Sequence, residues 1–486
     1  MVRETARLGL SERWSLSRKN VNSPITVIYH ASIPADCVAK EDLVEAARKL
    51  SEIYPVLSCG VDGASSRTPE YVYRKDLSSA DVVKIVNLDK EDSLEQLVNR
   101  AVIQGKSYHV DSGALWEIQL HRVSSSTPPS PRDRLVLLID HILCDGLGAR
   151  NLFADLLGLL SGIPIPDQPD GLPARMDDTV NLKPALESTE PSIWSYIQPY
   201  VGSVARRLSS FLTSPPLYAP FPPRQQPGYN SVTAPQQYSH FDLPSSDLSA
   251  LLSEGKKHAI PTIHPVLHIA AVIALYRATK STTGLSFYSS IPISERNPSL
   301  GHPRSTGNYV TFHFSTDRIN RSTIIWEHAR GFSSTLRRPE TKLVARQTLG
   351  KLDAIDGDHK EDDGPSGWEE HLKKVMSDSL GPHKLSLAVS NVGLMELPST
   401  GKLAGEIQDV YFTQSASAMG GCAVLSILST RGGSMTVSVS SKIGSLPAGV
   451  FEAFAEQLKP IVYAIARGDV GENTQAGDSI AGVPDI

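Results

Sequence analysis

The stretch at residues 134–160 constrains the fold more than any other part of this 486-residue chain. Residues 135–139 are all apolar, a pattern typical of a strand that is buried on both faces. The run stops at Asp140 and His141, and after Gly146 leucine and phenylalanine side chains recur at helical spacing. The sequence therefore predicts a buried strand, a polar turn and a helix, with a histidine where the strand ends.

The predicted turn carries three residues of chemical interest, His141, Asp145 and Gly146. A histidine suits proton transfer near neutral pH because its reference pKa is about 6.5. Asp145 has two interpretations: it orients the imidazole, or it turns away and locks the loop through an arginine. Gly146 allows close approach of another backbone. The competing interpretation of His141 is a hydrogen-bonded structural residue, and only its combination with Asp145 and Gly146 favours catalysis.

Composition narrows the class of protein. The chain is 40% hydrophobic and 20% charged, with a formal net charge of −5, which indicates a soluble globular protein and gives no support to nucleic-acid binding. The N-terminus has no apolar core of signal-peptide length, and no segment approaches the roughly 18 apolar residues of a membrane span, so we expect a cytoplasmic protein without a transmembrane segment.

No HExxH or CxxC spacing indicates a metal site. The four cysteines are scattered along the chain, which indicates a reducing compartment without disulfides: Cys37, Cys59, Cys144 and Cys422. Cys144, inside the turn, is interpreted as a small buried hydrophobe.

The length indicates two domains, or two lobes of one unit. We assign residues 1–161 to an N-terminal lobe, 162–235 to a proline-rich crossover with one helix near 192–212, 236–467 to a C-terminal lobe, and 468–486 to a disordered tail. The alternative for the crossover is a flexible linker between independent domains. A linker of that kind leaves the predicted turn without the second wall that an active-site cleft needs.

Periodicity and capping residues predict the elements of both lobes. In the N-terminal lobe they predict strands at 23–34, 70–74, 82–87 and 114–123, and helices at 39–54 and after Ser93. The strand at 114–123 is expected to run antiparallel to the strand before His141. In the C-terminal lobe they predict a strand at 238–243, helices at 248–252 capped by Ser246, 265–278, 368–376 and 450–465, strands at 285–293 and 384–389, and a hairpin of 424–430 with 434–440. This order, without regular βαβ repetition, indicates an α+β or mixed α/β fold.

The hexapeptide HILCDG at residues 141–146 resembles the HxxxDG signature of the CoA-dependent acyltransferase superfamily. That superfamily includes chloramphenicol acetyltransferase, plant BAHD acyltransferases, peptide-synthetase condensation domains and fungal alcohol acetyltransferases. Asp140 stands where condensation domains usually carry a second histidine, and the DFGWG motif of the BAHD enzymes is absent from the sequence. The chain is therefore most similar to the fungal alcohol O-acetyltransferases, over most of residues 5–465.

The resemblance implies a fold and a chemistry. The fold is two chloramphenicol-acetyltransferase-like lobes, each a mostly antiparallel or mixed sheet with flanking helices, around a central tunnel. The chemistry is transfer of an acetyl group from acetyl-CoA, a co-substrate and not a bound cofactor, to a small, largely apolar alcohol of secondary metabolism by a monomeric enzyme. His141 is the expected general base, Asp145 pairs with an arginine for which we choose Arg296, and Gly146 is structural. Four residues are the candidates for binding substrate, CoA or the oxyanion: Asn308, Ser390, Asn391 and Gly393.

Two other functions stay open at this point. The chain is a condensation-type enzyme that uses carrier-protein thioesters, or a member of the fold that catalyses a reaction other than acyl transfer. Fold similarity alone does not choose between them, because chemistry depends on the residues of the site.

Overall fold

The computed structural model describes residues 5–90, 92–111, 113–123, 131–165, 171–183, 218–222, 225, 229–296, 304, 306–357, 362–377 and 381–485. The α-helices of these ranges are α1 Leu10–Asn20, α2 Lys40–Ile53, α3 Leu94–Lys106, α4 Gly146–Leu160, α5 Met176–Thr179, α6 Ser245–Lys257, α7 Ile263–Ala278, α8 Ile325–Arg337, α9 Pro339–Gly350, α10 Trp368–Met376 and α11 Val450–Arg467. The strands are β1 Thr5–Arg7, β2 Thr26–Pro34, β3 Cys59–Asp62, β4 Glu70–Tyr73, β5 Val83–Leu88, β6 Trp116–Val123, β7 Arg132–Asp140, β8 Tyr218–Phe221, β9 Gln236–Leu243, β10 Gly284–Ser294, β11 Val310–Ile319, β12 Leu385–Met395, β13 Gln408–Gln414, β14 Gly421–Thr430 and β15 Met435–Lys442.

The N-terminal lobe is built on a five-stranded sheet of order β13-β2-β7-β6-β5. The central strand β7 runs antiparallel to both β2 and β6. Leu135, Leu137 and Ile139 face a core that includes side chains of α2 and α4, whereas Val136 and Leu138 face side chains of α3. β7 is apolar along this run because both of its faces are covered by other parts of the lobe. Its burial makes the strand a rigid support for the turn that follows.

The C-terminal lobe is built on a seven-stranded mixed sheet of order β11-β10-β12-β14-β15-β9, with β8 also paired to β10. The apolar helix α7 packs against α11 in the core of this lobe, and every residue from Pro265 to Ala278 is buried. A small third sheet has the order β1-β4-β3.

One strand connects the two lobes. β13 lies in the C-terminal half of the chain but pairs antiparallel with β2, at the edge of the N-terminal sheet. The Ser438 hydroxyl of β15 also donates to the carbonyl of Phe412 in β13, at 2.9 Å. The assignment of all residues 236–467 to one lobe is therefore wrong for β13, because its backbone partners lie in the other sheet.

The predicted mixed α/β fold with two sheets and flanking helices is confirmed. The antiparallel pairing of β6 with β7 and the hairpin of β14 with β15 are also confirmed. Ser93 caps α3 as predicted, since its hydroxyl accepts from the backbone N–H of Gln96 at 3.2 Å. The helix predicted near 192–212 lies outside the described residues.

Three local predictions are corrected. Ser246 does not cap α6, because the helix begins one residue earlier and Pro244 occupies the N-cap position. The strand predicted at 384–389 continues to Met395, so residues 390–393 lie within β12 and not after it. Residues 468–485 are not disordered but pack on the C-terminal lobe, with Val470, Ile480 and Val483 among the core side chains.

Candidate active site

The turn after β7 is held by Asp140 and by β2. The His141 N–H donates to the carbonyl of Ile25 at 3.0 Å, just before β2 begins. The Asp140 carboxylate accepts from the N–H of Ile142 at 3.0 Å through one oxygen and lies 2.7 Å from Lys19 Nζ through the other. The residue that replaces the second histidine of condensation domains thus anchors the turn.

His141 sits at the entrance to this turn, half-buried, with one ring nitrogen enclosed. Nδ1 is buried and has no hydrogen-bond partner among the described residues. Burial lowers the pKa of His141, the negative charge of Asp145 opposes that shift, and the nearby Arg18 lowers the pKa further. The neutral imidazole, which can accept a proton, is therefore the favoured form at neutral pH.

Asp145 turns away from the imidazole and locks the loop. Its Oδ2 lies 2.6 Å from Nη1 of Arg296 and accepts from the N–H of Tyr309 at 2.9 Å, while its Oδ1 accepts from the N–H of Gly148 at 2.9 Å and caps α4. Burial acts to raise the pKa of Asp145, but Arg296 and the two N–H groups outweigh it and hold the pKa below its ordinary value. Of the two interpretations, the geometry supports the locking role, with the arginine chosen from the sequence.

Two glycines let the turn pack closely. A side chain at Gly146 would place its Cβ 3.0 Å from Val392 of β12 and 3.4 Å from Phe412 of β13. A Cβ at Gly148 would lie 2.9 Å from that of Cys144. The hydroxyl of Tyr29 donates to the carbonyl of Gly146 at 2.7 Å, which fixes the start of α4 against β2. The missing side chain at Gly146 admits strands of both sheets to the helix terminus, which supports the structural role expected of it.

Asn308 holds the turn from the C-terminal lobe. Its Nδ2 donates to the carbonyls of His141 at 2.9 Å and Ile142 at 3.2 Å, so both amide protons point at the backbone of the turn. Its own N–H donates to Glu12 at 3.0 Å. Burial and the neighbouring Asp177 raise the pKa of Glu12 to about 7. The expected role of Asn308 as an oxyanion donor does not fit this geometry, because its amide donors are already engaged. Its buried Oδ1 has no hydrogen-bond partner among the described residues, so Asn308 stays a candidate for accepting from a substrate.

The segment of Ser390, Asn391 and Gly393 reaches the same helix terminus from β12. Ser390 and Asn391 are half-buried, and the Asn391 side chain accepts from the N–H of Gly393 at 2.9 Å. This turn within the strand requires the left-handed φ of +74° at Gly393, which favours glycine. Arg150 of α4 donates to the carbonyls of Val392 and Leu394 at 2.7 and 2.9 Å and ties the segment to the helix.

The sequence profile of the alcohol acetyltransferase family matches residues 88–446, a range that contains the whole turn. The chain belongs to the alcohol acetyltransferase family. It is an acyltransferase, and its resemblance to the CoA-dependent acyltransferase superfamily is confirmed. No curated protein matches it significantly by sequence.

Solved structures of low sequence identity share the fold of this alcohol acetyltransferase family member. The condensation domain of the Monacolin K polyketide synthase MokA superposes with a TM-score of 0.62 at 13% identity, covering 97% of this chain and 99% of that chain. The TRI3 trichothecene 15-O-acetyltransferase from Fusarium sporotrichioides gives 0.63 at 13% identity, with 95% of each chain covered. The first condensation domain of the calcium-dependent antibiotic synthetase gives 0.60 at 14% identity, with 98% and 99% covered. These likenesses show the fold alone.

Cys144 lies inside the turn of this acetyltransferase family member, but its thiol is not activated. Burial raises the pKa of the Cys144 thiol, which disfavours the thiolate that a nucleophile needs. Among the described residues there is no cluster of metal-ligating side chains, and no helix there combines the length and hydropathy of a membrane span. A cavity of about 660 Å³ lies in the C-terminal lobe around Asp317 and His328, and His141 is not part of its lining.

Two site residues escape prediction from the sequence, Glu12 and Arg18 of α1. Both are buried in the finished fold, at 5% and 7% exposure. Nothing in the pattern of α1 distinguishes them from the solvated charges of an ordinary surface helix. Their role becomes visible only in the folded structure, where the C-terminal lobe covers α1.

Proposed function

We propose that this chain transfers an acetyl group from acetyl-CoA to a hydroxyl of a small, largely apolar natural-product alcohol, with His141 as the general base. The observation that carries this proposal is the locked turn: a half-buried neutral histidine at the end of a rigid strand, with Asp145 engaged by Arg296 and not by the imidazole. The similarity to fungal alcohol O-acetyltransferases supports the donor, the class of acceptor and a role in secondary metabolism.

The reaction needs one proton carrier. The imidazole accepts the proton of the alcohol while the alcohol oxygen forms a bond to the thioester carbonyl carbon and the carbonyl electrons move to oxygen. When the carbon–sulfur bond breaks, the imidazolium returns the proton to the departing thiolate, which leaves as free CoA. General-base help of this kind contributes roughly 10²–10⁴-fold, and holding both substrates at one imidazole contributes more.

The residues around His141 contribute to the reaction by holding the site in place or by contacting a substrate, and not by transferring a proton. Asp145 and Arg296 keep the turn in one geometry, and Gly146 lets β12 and β13 approach it. Ser390, Asn391 and Gly393 remain candidates for contact with acetyl-CoA or the acceptor, because they lie on a strand that packs against the start of α4. The N–H of Gly393 already donates to the Asn391 side chain, so Gly393 would contribute close backbone approach and not a free donor. The pairing of β13 with β2 joins the two lobes within one chain, which supports the expectation of a tunnel between them and of a monomeric enzyme.

The test is the release of free thiol from acetyl-CoA across a panel of terpenoid, polyketide and simple alcohols, for the parent and for His141→Ala. We expect thiol release that rises with one class of alcohol and falls by about 10²–10⁴-fold in the variant. The melting temperature should change little, because the His141 side chain is only half-buried and makes no hydrogen bond among the described residues that the variant would lose.

The control is His109→Ala, since His109 is exposed and far from the turn in sequence. It should transfer acetyl groups like the parent. A marked loss of stability in His141→Ala, with transfer lost only in proportion to unfolding, would instead support the structural-histidine interpretation.

The second candidate function is condensation chemistry on carrier-protein thioesters. It is favoured by the likeness to two condensation domains over 97% and 98% of this chain. Free acetyl-CoA separates the two proposals, because a ligand at 100 times its Kd stabilises the protein by about 2.7 kcal/mol. A clear rise in melting temperature favours the CoA-dependent enzyme. The absence of any rise, with no thiol release, favours the carrier-dependent reaction or a reaction other than acyl transfer.

A further inference from the structure

Arg18, at the C-terminal end of α1, is a buried cation with unused donors beside the turn. It is 7% exposed. Its Nη2 donates to the hydroxyl of Ser417, but its Nε is buried without a partner and its Nη1 makes no hydrogen bond with any residue that the structure describes. Four of the five N–H groups that a guanidinium carries are thus available to another acceptor.

The charge of Arg18 is also uncompensated. Within the described ranges no carboxylate lies at ion-pair distance from it, and Asp140, the acidic residue whose field acts on it, is already 2.7 Å from Lys19. Burial lowers the pKa of Arg18 only to about 10, so the guanidinium stays charged at neutral pH. A buried charge without a partner is costly to the folded state unless a ligand supplies the missing negative charge.

The other two arginines of the site differ. Arg296 is engaged by Asp145 and by the carbonyl of Gly307, at 2.6 and 3.1 Å. Arg150 is engaged by two carbonyls of β12. Both arginines hold the protein together through their hydrogen bonds, whereas the hydrogen-bonding capacity of Arg18 is largely free.

Arg18 and Ser417 lie next to the backbone that supports His141. The Arg18 carbonyl accepts from the N–H of Ser23 at 2.8 Å, and the hydroxyl of Ser23 accepts from the N–H of Ala418 at 3.2 Å. Residue 25 of the same segment accepts from the N–H of His141 at 3.0 Å. The positive charge of Arg18 also lowers the pKa of His141.

We propose that Arg18, oriented by Ser417, donates a hydrogen bond to the oxygen that becomes negative when the alcohol attacks the thioester carbonyl. This inference rests on the proposed function. As the new carbon–oxygen bond forms and the proton moves to His141, the carbonyl electron pair collects on that oxygen beside a fixed positive charge. When the carbon–sulfur bond breaks, the pair returns to form the carbonyl of the ester. A preorganised donor in a site that excludes water is worth more than the same donor in water.

The structure favours this role over an ordinary packing role because Ser417 holds the guanidinium of Arg18 in place while most of its N–H groups have no acceptor among the described residues. It also supplies a donor at a site where Asn308 cannot act, since both amide protons of Asn308 point at the turn. A second effect follows from the same charge: it adds to the effect of burial, which is the larger cause of the lowered pKa of His141.

The experiment compares kcat, KM and the pH profile of the parent and of Arg18→Met, with thiol release as the assay. We expect kcat to fall by about 10²–10³-fold, as when one oxyanion donor is removed, while both KM values stay within about threefold. The charged groups that act on His141 are Asp145, Arg18 and Asp140. Loss of the positive charge among them should move the acid limb of kcat/KM to higher pH, which a merely structural residue would not do.

Arg13→Met is the matched control. Arg13 lies in the same helix and its guanidinium pairs with Asp356, away from the turn, so the variant should lose stability but keep the parent kcat and pH profile. If Arg18→Met does not fold, Ser417→Ala keeps the charge and removes only the group that holds it, and kcat should then fall by about tenfold with the acid limb unmoved.

Three results would overturn the inference: a folded Arg18→Met variant with kcat within about fivefold of the parent, a loss confined to the KM of one alcohol, or a parent-like Ser417→Ala. An active parent with an active Arg18→Met variant refutes the role of Arg18 and leaves the acetyltransferase proposal standing. A parent that releases no thiol with any alcohol refutes the acetyltransferase proposal itself.

Discussion

Replacing Asp145 by asparagine tests whether the turn is held by a buried ion pair. Asp145 and Arg296 have side chains that are 6% and 8% exposed, and their charged atoms lie 2.6 Å apart. Asparagine caps helices about as well as aspartate, so the contact with the N–H of Gly148 can survive. The new amide nitrogen, however, would face either the guanidinium of Arg296 or the N–H of Tyr309, both of which are donors. Breaking a buried pair on one side costs about 3–5 kcal/mol, and we expect Asp145→Asn to lose that much free energy of unfolding.

A surface pair of nearly the same length provides the control. Lys402 lies 2.7 Å from Asp42, and their side chains are 42% and 44% exposed. An exposed pair contributes about 0–1 kcal/mol, so Asp42→Asn should cost less than about 1 kcal/mol. The two substitutions change the same chemical group at almost the same distance, and they differ chiefly in burial.

Urea unfolding, followed by fluorescence and by circular dichroism, measures both variants, and thiol release measures activity. The double variant Asp145→Asn, Arg296→Met should recover part of the lost stability, since it removes the uncompensated charge. If Asp145→Asn unfolds at the same urea concentration as Asp42→Asn, the ion pair does not lock the turn and our reasoning on Asp145 is wrong.

Three further predictions concern pH, the turn and the tail. Burial and Arg18 lower the pKa of His141, so kcat/KM should stay constant as pH falls through 6.5 and decline only below it; a decline that begins above pH 7 would contradict the neutral buried imidazole. Asn308→Ala leaves two carbonyls of the turn without their donor and should lower the free energy of unfolding by about 1–3 kcal/mol and kcat/KM by about 10–100-fold, measured by urea unfolding and thiol release, whereas a parent-like variant would mean that β2 alone holds the turn. Ending the chain after Arg467 removes three carbonyls that accept from the buried Arg277 and should cost about 3 kcal/mol or more in urea unfolding; an unchanged midpoint would restore the prediction of a disordered tail.

Local pattern was enough to predict the elements near the turn. The apolar run of β7, the capping serine of α3 and the apolar length of α7 each lie within a short window of sequence, and periods of 2.0 and 3.6 residues depend only on near neighbours. The same local reasoning failed at β12, where it ended the strand at Val389. The pairing of β12 with β10 ends at Ala388, but its pairing with β14 carries the strand through a bulge to Met395.

The tail shows a different kind of failure. Residues 468–486 are rich in glycine and polar residues, which is typical of disorder when a segment has no partner. Here the partner exists: Arg277 is buried in α7 and donates to the carbonyls of Ala476, Asp478 and Pro484. The sequence of the tail does not reveal that the buried guanidinium of Arg277 needs hydrogen-bond acceptors.

The sequence by itself determined that a histidine would follow a buried strand and precede a glycine-led helix, because alternation, apolar runs and capping depend on residues close together in the chain. Only the tertiary structure decided what surrounds that histidine. Asn308 reaches His141 across 167 positions and Arg18 reaches Ser417 across 399, and such contacts depend on how the two sheets come together. Buried charges must find partners wherever the fold offers them, so their pairing is a property of the packed chain and not of any one segment.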